Sequence, residues 1–137
     1  MDLLLLAAKI AEPQSNDLRR FWVGAIGKRK DGKAVFSKNG AVHTTAYDMK
    51  RYQYIPISHA ECRVIRKMDC GGVLYVARVA REDRSLKMSR PCSMCQNKIK
   101  SRGIKKVFYT INNTQYGVWY VDKNEDVIFN FGNAKKF

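Results

Sequence analysis

Apolar and polar positions fall along this chain in short blocks whose period switches between helical and alternating. Residues 2–12 (DLLLLAAKIAE) hold a short apolar run with Asp2, Lys9 and Glu12 among it. That pattern predicts an amphipathic helix, and Pro13 ends it because proline cannot extend a helix. Residues 21–27 (FWVGAIG) and 33–37 (KAVFS) are rich in β-prone types. Asp31-Gly32 between them predicts a hairpin closed by a type I′ turn. Residues 39–58 show no clear period and carry Tyr47, Lys50, Arg51, Tyr52 and Tyr54.

Ser58-His59-Ala60-Glu61 has the form of a capping box, which predicts a helix running to about Met68. Cys70-Gly71-Gly72 stops it. Residues 73–79 (VLYVARV) read as a buried strand. Ser89-Arg90-Pro91 then leads into a second helix, with Pro91 in its first turn and an end near Arg102, before Gly103. Residues 104–111 read as another strand, and strand–helix–strand order predicts parallel pairing with helices laid on the sheet. Only residues 112–115 precede the next strand, 116–121. Four residues are too few for a crossover, so this strand is expected antiparallel. Residues 127–131 follow a DKNED turn and add an edge strand. No repeat or linker divides the chain, so residues 1–137 are expected to form one α/β domain. Its expected architecture is a mixed five-stranded sheet with helices on both faces and the last strand antiparallel.

Charge changes this picture more than overall composition does. A 45% hydrophobic content is that of a globular chain, which excludes general disorder. Twenty-six Lys and Arg against twelve Asp and Glu leave a net charge of +14. That balance favours phosphate-bearing partners, whether nucleotides, RNA or DNA, although a lysine-rich soluble surface accounts for it equally simply. The first apolar run is too short to span a bilayer, and Asp2 stands where a secretory signal is basic. No membrane partner is expected. Four cysteines, two of them in a Cys-x-x-Cys pair, point to a reducing compartment and metal binding rather than disulfides. The protein is expected in the cytoplasm.

The chemistry concentrates in two pieces. His59-x-Glu61 is followed, after 29 intervening residues, by Pro91-Cys92-x-x-Cys95. Both pieces sit at predicted helix starts, and one strand separates the helices, so both can open at the same edge of a parallel sheet, where open α/β sheets hold their sites. One imidazole and two thiolates provide three ligands for Zn2+ and leave a fourth tetrahedral position for water. Such a water loses a proton near neutral pH. Glu61, two residues from a ligand, is placed to move that proton, and the helix starts favour the anionic thiolates. Cys62, one turn after His59, could instead close a four-ligand structural site without catalysis. That alternative leaves Glu61 idle and Pro91 incidental. Cys62 and Cys70 are otherwise expected to be small buried residues.

His59-Ala60-Glu61 and Pro91-Cys92-Ser93-Met94-Cys95 resemble the zinc signature of the cytidine and deoxycytidylate deaminase superfamily. The similarity runs from the Phe21–Ser37 hairpin to about Thr110. The stretch SRPCSMCQNKIKSRGIKKVFYT is especially similar to small deaminases encoded by phages and large DNA viruses, which would act in a host cytoplasm. The resemblance implies a three-layer cytidine-deaminase-like fold and hydrolysis of the 4-amino group of cytosine. It further implies that Asn39 contacts the sugar, that the backbone at Ala60 and Ser89 reads the pyrimidine edge, and that the chain forms a homo-oligomer. A histidine as first ligand is similar to deoxycytidylate, transfer-RNA and single-stranded-DNA deaminases. Val23-Gly24-Ala25 and the short final hairpin look more like free-cytidine enzymes.

Further substrate contacts are open at this level. His43, four residues after Asn39, could reach a phosphate or sugar or simply pack. Tyr54, with Tyr47 and Tyr52, could stack on a base or anchor a loop. From Arg84 to Val121 there are eight basic residues and no acidic one, and Arg90, beside the ligands, is the one expected to touch phosphate. Three functions remain: a deaminase of a free cytosine nucleoside or nucleotide, a deaminase of cytosine (or adenine) in single-stranded DNA or RNA, and a non-catalytic zinc module. The ligand set with Glu61 disfavours the third. Small size and the viral similarity favour the first, and charge favours the second.

Overall fold

The computed structural model describes residues 2–12, 21–38, 45–48, 53–56, 60–68 and 70–131. The first helix, α1, spans Asp2–Ala11, where a helix is expected, and buries Leu4, Ala7, Ala8 and Ala11. Strands β1 (Phe21–Lys28) and β2 (Ala34–Lys38) pair antiparallel, from Gly24↔Lys38 to Lys28↔Ala34. Their turn differs from the expected type I′. Gly32 has φ 88°, but Asp31 is not among the described non-glycine residues with positive φ. Gly32 N donates to Arg29 O (3.1 Å) and Arg29 N to Lys33 O (2.8 Å). Lys30-Asp31-Gly32 is therefore a three-residue loop that ends in a left-handed glycine. Asp31 Oδ1 accepts from Lys33 N at 3.0 Å, and this bond, with Arg29 beside it, holds the Asp31 carboxyl below its usual range.

The segment without a clear period contains a hairpin of its own. Strands β3 (Thr45–Asp48) and β4 (Gln53–Pro56) pair antiparallel as a separate two-stranded sheet. Helix α2 spans Ala60–Ile65, three residues short of the expected end. Lys67 N then donates to Val64 O (2.9 Å) and Met68 N to Ile65 O (3.1 Å), tightening the chain before Gly71 and Gly72 take φ 84° and 98°. The proposed cap, Ser58, lies outside the described residues.

The remaining elements are β5 (Val73–Ala80), β6 (Leu86–Lys87), α3 (Ser93–Ser101), β7 (Lys106–Thr110), β8 (Gln115–Tyr120) and β9 (Glu125–Asn130). Among the described residues the main sheet has seven strands rather than the expected five, in the order β2-β1-β5-β7-β8-β9 with β6 also beside β5. Six of the seven answer to runs read as strands, one more than the five expected in the sheet, and the seventh, β6, arises because the chain reverses just after β5. Arg84, at φ 61°, donates its N–H to Ala80 O, and Ala80 N donates to Ser85 O. β9 is the edge strand expected after the DKNED turn.

The sheet is mixed. β5 and β7 run parallel, from Val73↔Lys106 to Val76↔Tyr109, and among the described residues its other pairings are antiparallel. Alternation along the strands divides the core between two faces. On one face Leu74, Val76, Val107, Tyr109 and Trp119 pack with Val64 and Ile65 of α2 and Ile99 of α3. On the other, Trp22, Ile26, Ala77 and Val79 pack under α1. Helices thus cover both faces, as expected. Past α1 the second face carries a row of rings, with centroids 4.8 Å apart for Tyr75–Phe108, 6.5 Å for Phe108–Tyr116 and 5.4 Å for Tyr116–Phe129. The row ends at β9, where Val127, Ile128 and Phe129 are exposed.

Close packing of α1 depends on Gly24. A Cβ there would lie 2.1 Å from Ala7 O and 2.8 Å from Ala11 N, both backbone atoms of the helix. Gly24→Ala should lift α1 from the sheet and cost about 1–3 kcal/mol. Urea unfolding checks this; a midpoint equal to wild type would show that the helix does not seat on that glycine.

Candidate active site

Helices α2 and α3 each lead directly into one strand of the parallel pair. Their C-terminal ends are tied together: Gly71 N donates to Arg102 O at 3.1 Å, and Arg102 Nη1 donates to Met68 O at 3.2 Å. Helices that end side by side and feed parallel strands begin at the opposite edge, where β5 and β7 finish. Ala60 and Glu61 open α2 there, and Cys92 and Cys95 open α3.

The approach to α3 is anchored by a buried hydroxyl pair. Ser89 Oγ donates to Val76 O (2.8 Å) and accepts from Thr110 N (2.7 Å). Thr110 Oγ1 lies 2.9 Å from Ser89 Oγ and 2.7 Å from Lys87 O, and accepts from Arg78 N at 3.1 Å. Ser89 N donates to Thr110 O at 2.9 Å, so the backbone group of Ser89 that remains to read a base is its carbonyl. Two residues further, the expected place of Pro91 needs correcting. Cys92 is the N-cap, with φ −67° and ψ 166°, and the helix proper starts at Ser93. Pro91 therefore lies ahead of the cap, not in the first turn. Its carbonyl accepts from Gln96 Nε2 (2.7 Å), and the Cys92 carbonyl accepts from Gln96 N (2.8 Å).

Cys92 is exposed and Cys95 fully buried. Their spacing of three residues puts both on one side of the first helical turn, where the N-terminal end of the dipole favours thiolates. Glu61 is a buried carboxyl, 7% exposed, in the first turn of α2, next to fully buried Ala60. Two thiols one turn apart are donors that suit a zinc ion, and a buried carboxyl at the start of α2 suits proton transfer. His59, Asn39 and His43 lie outside the described residues, as do the side chains of Tyr54 and Cys62. Among the described residues no group of three or more His, Cys, Asp or Glu side chains is placed to hold a metal. Cys70 is exposed, contrary to its expected burial, because it occupies the turn between α2 and β5.

Arg90 does not point into open solvent. Its Nε donates to Asp126 Oδ2 at 2.7 Å and its Nη2 to Asp126 Oδ1 at 3.3 Å, and its guanidinium lies 5.0 Å from the Trp119 ring centroid. The Asp126 hydrogen bond raises the Arg90 pKa further. Tyr109 OH donates to the same Oδ2 at 3.0 Å, and burial, then Asp126, pushes its phenol up to about 12. A substrate phosphate at Arg90 would have to displace this carboxylate. Asp126 had no signal in the sequence, since it sits 36 residues from Arg90 in a segment that reads only as a turn.

Residues 1–111 match the model of a family described as the cytidine and deoxycytidylate deaminase zinc-binding region. Two solved structures of cytidine deaminase from Mycobacterium tuberculosis are similar at 21% identity and a TM-score of 0.45, one of them a glutamate-to-glutamine mutant. The similarity covers 81% of this chain and 87% and 88% of theirs, respectively. No curated protein matches the chain. Among the described residues no helix is long and apolar enough to cross a membrane.

The Ser89–Thr110 latch can be tested by removing one hydroxyl. Thr110→Val keeps the shape but strips buried polar neighbours of a partner, which should cost about 1–3 kcal/mol. Chemical denaturation reads the loss, and unchanged stability would show that the hydroxyl holds nothing.

Proposed function

The chain belongs to the cytidine and deoxycytidylate deaminase family, and from that membership we propose that it hydrolyses the 4-amino group of cytosine in a free nucleoside or nucleotide, with Zn2+ as cofactor. The observation that carries this proposal is the shared sheet edge at which Glu61, Cys92 and Cys95 all open their helices. His59, Cys92 and Cys95 would hold the zinc. When bound, the metal would supply the Lewis acidity that makes water nucleophilic near neutral pH.

The chain's own residues account for the other steps. Glu61, screened from solvent, takes a proton from the attacking water and delivers one to ring N3. It then carries a proton to the exocyclic nitrogen as the C4–N bond breaks. One water is consumed, the base becomes uracil and ammonia leaves. The Ala60 backbone and the Ser89 carbonyl would hold the pyrimidine edge, Asn39 the sugar, and His43, Tyr54 or Arg90 the groups beyond it. The same proposal takes residues 1–137 as one domain, acting in the cytoplasm, and the apolar edge at Val127, Ile128 and Phe129 suits a homo-oligomer.

A second function is favoured by one observation. The net charge of +14 suits a polyphosphate strand better than a single nucleotide, so deamination of cytosine in single-stranded DNA or RNA is the alternative. Ammonia release from cytidine, dCMP and a cytosine-containing oligonucleotide at physiological salt separates the two. Turnover of the small substrates is expected, and release from the oligonucleotide alone would overturn the free-substrate assignment. Glu61→Ala should lower turnover by at least a factor of about 100, the lower range for a lost general acid–base group, while one zinc stays bound. Activity near wild type would remove Glu61 from proton transfer.

A further inference from the structure

Asp126 lies beyond the matched residues 1–111 and has no part in the chemistry above, yet three elements converge on it. Arg90 reaches it from the approach to α3 and Tyr109 from β7. Trp119 of β8, its direct cross-strand neighbour, lies under the Arg90 guanidinium. The convergence is built into the sheet. Tyr109 must cross β8 to reach β9, and it does so over Gly117, its cross-strand partner. A Cβ on Gly117 would lie 2.3 Å from Tyr109 Cζ and 2.5 Å from its Oη. Only a glycine there leaves the phenol a path to Asp126. Trp119 is fixed in turn, its Nε1 donating to Asn124 Oδ1 at 3.1 Å.

Arg90 is two residues ahead of Cys92. Ser89 is anchored on the sheet by its hydroxyl, whereas Pro91 has no N–H with which to be held. The Pro91 carbonyl is held only from within α3, by Gln96 Nε2 at 2.7 Å, so the Arg90 side chain is the last tie to the sheet before the cap residue. We propose that Asp126 is a positioning residue for the thiol pair: by gripping Arg90 with a two-point ion pair, it fixes the chain entering Cys92 and so the aim of Cys92 and Cys95 toward a metal. This rests on the assignment of those thiols as zinc ligands. The Arg90 and Asp126 side chains are 30% and 29% exposed. A pair exposed to this extent is screened and contributes little to global stability, so the effect should appear in metal binding before it appears in unfolding.

The test measures zinc affinity by chelator competition, and the thiolate-to-cobalt absorption of Co2+-substituted protein, in wild type, Asp126→Asn, Asp126→Glu and Arg90→Gln. Asp126→Asn should weaken zinc binding about tenfold, the lower end of what outer partners of metal ligands contribute. It should also change the cobalt band, with Asp126→Glu recovering most of both. Adding Asp126→Asn to Arg90→Gln should weaken binding no further, because the two act through one link. Wild-type affinity and spectrum in Asp126→Asn, or losses that simply multiply in the double variant, would overturn the proposal. If Asp126→Asn fails to fold, Arg90→Gln reads the same link from its other end, and unchanged affinity there overturns it equally. A wild-type chain that binds no zinc would instead remove the ligand assignment itself, a separate failure visible before any variant is made.

Discussion

Two neighbouring strands that run the same way cannot be joined by a tight turn; the chain must travel back along the sheet before the second begins. Between β5 and β7 that return is made by α3, and the approach to β5 is made by α2. Both helices therefore run against the strands they feed. Their starts fall together at the edge where the parallel pair ends, and their ends are stitched by the bonds among Met68, Gly71 and Arg102. Reversing either strand would send one helix start to the far edge and separate Glu61 from the cysteines. The proposed chemistry thus depends on one parallel ladder only a few residues long, from Val73↔Lys106 to Val76↔Tyr109.

Geometry at that edge is set from beneath as well as from the helices. Ser89 and Thr110 knit the incoming chain to the final residues of β7, and they do so in a buried place where each unmet hydrogen bond is costly. Arg90 is drawn sideways to β9. Cys92 is left exposed and Cys95 buried. The approach to α3 is thus tied to the sheet on both sides, by the Ser89–Thr110 bonds and by the Arg90–Asp126 pair.

The two faces of the sheet are unequal. Among the described residues α2 and α3 close one of them over the core, whereas α1 closes only part of the other, seated on Gly24. The rest of that face is a row of aromatic rings leading to an edge strand with apolar side chains exposed. Here the demands of fold and of association diverge, since rings that pack against one another satisfy the sheet but leave apolar surface at its border. The strongly positive charge of the chain opposes self-association through unshielded contacts, so such a border can be covered only where apolar burial outweighs repulsion.

Local features were legible because their causes are local. The apolar run of α1, the β-prone runs, the glycines after α2 and the His59-x-Glu61 and Cys92-x-x-Cys95 spacings each lie within a few residues, and physical chemistry reads them without a partner. The parallel pairing of β5 with β7 also followed, because helix length between strands restricts the direction of return. Other features depend on what meets across the fold. The β3–β4 hairpin, the two-residue β6, the true turn at Lys30-Asp31-Gly32 and the exposure of Cys70 left no periodic trace. Neither did the grip of Asp126 on Arg90 or the clearance that Gly117 gives Tyr109. A carboxylate 36 residues from its cation has no pattern linking the two along the chain; only the lateral order of strands brings them within bonding distance.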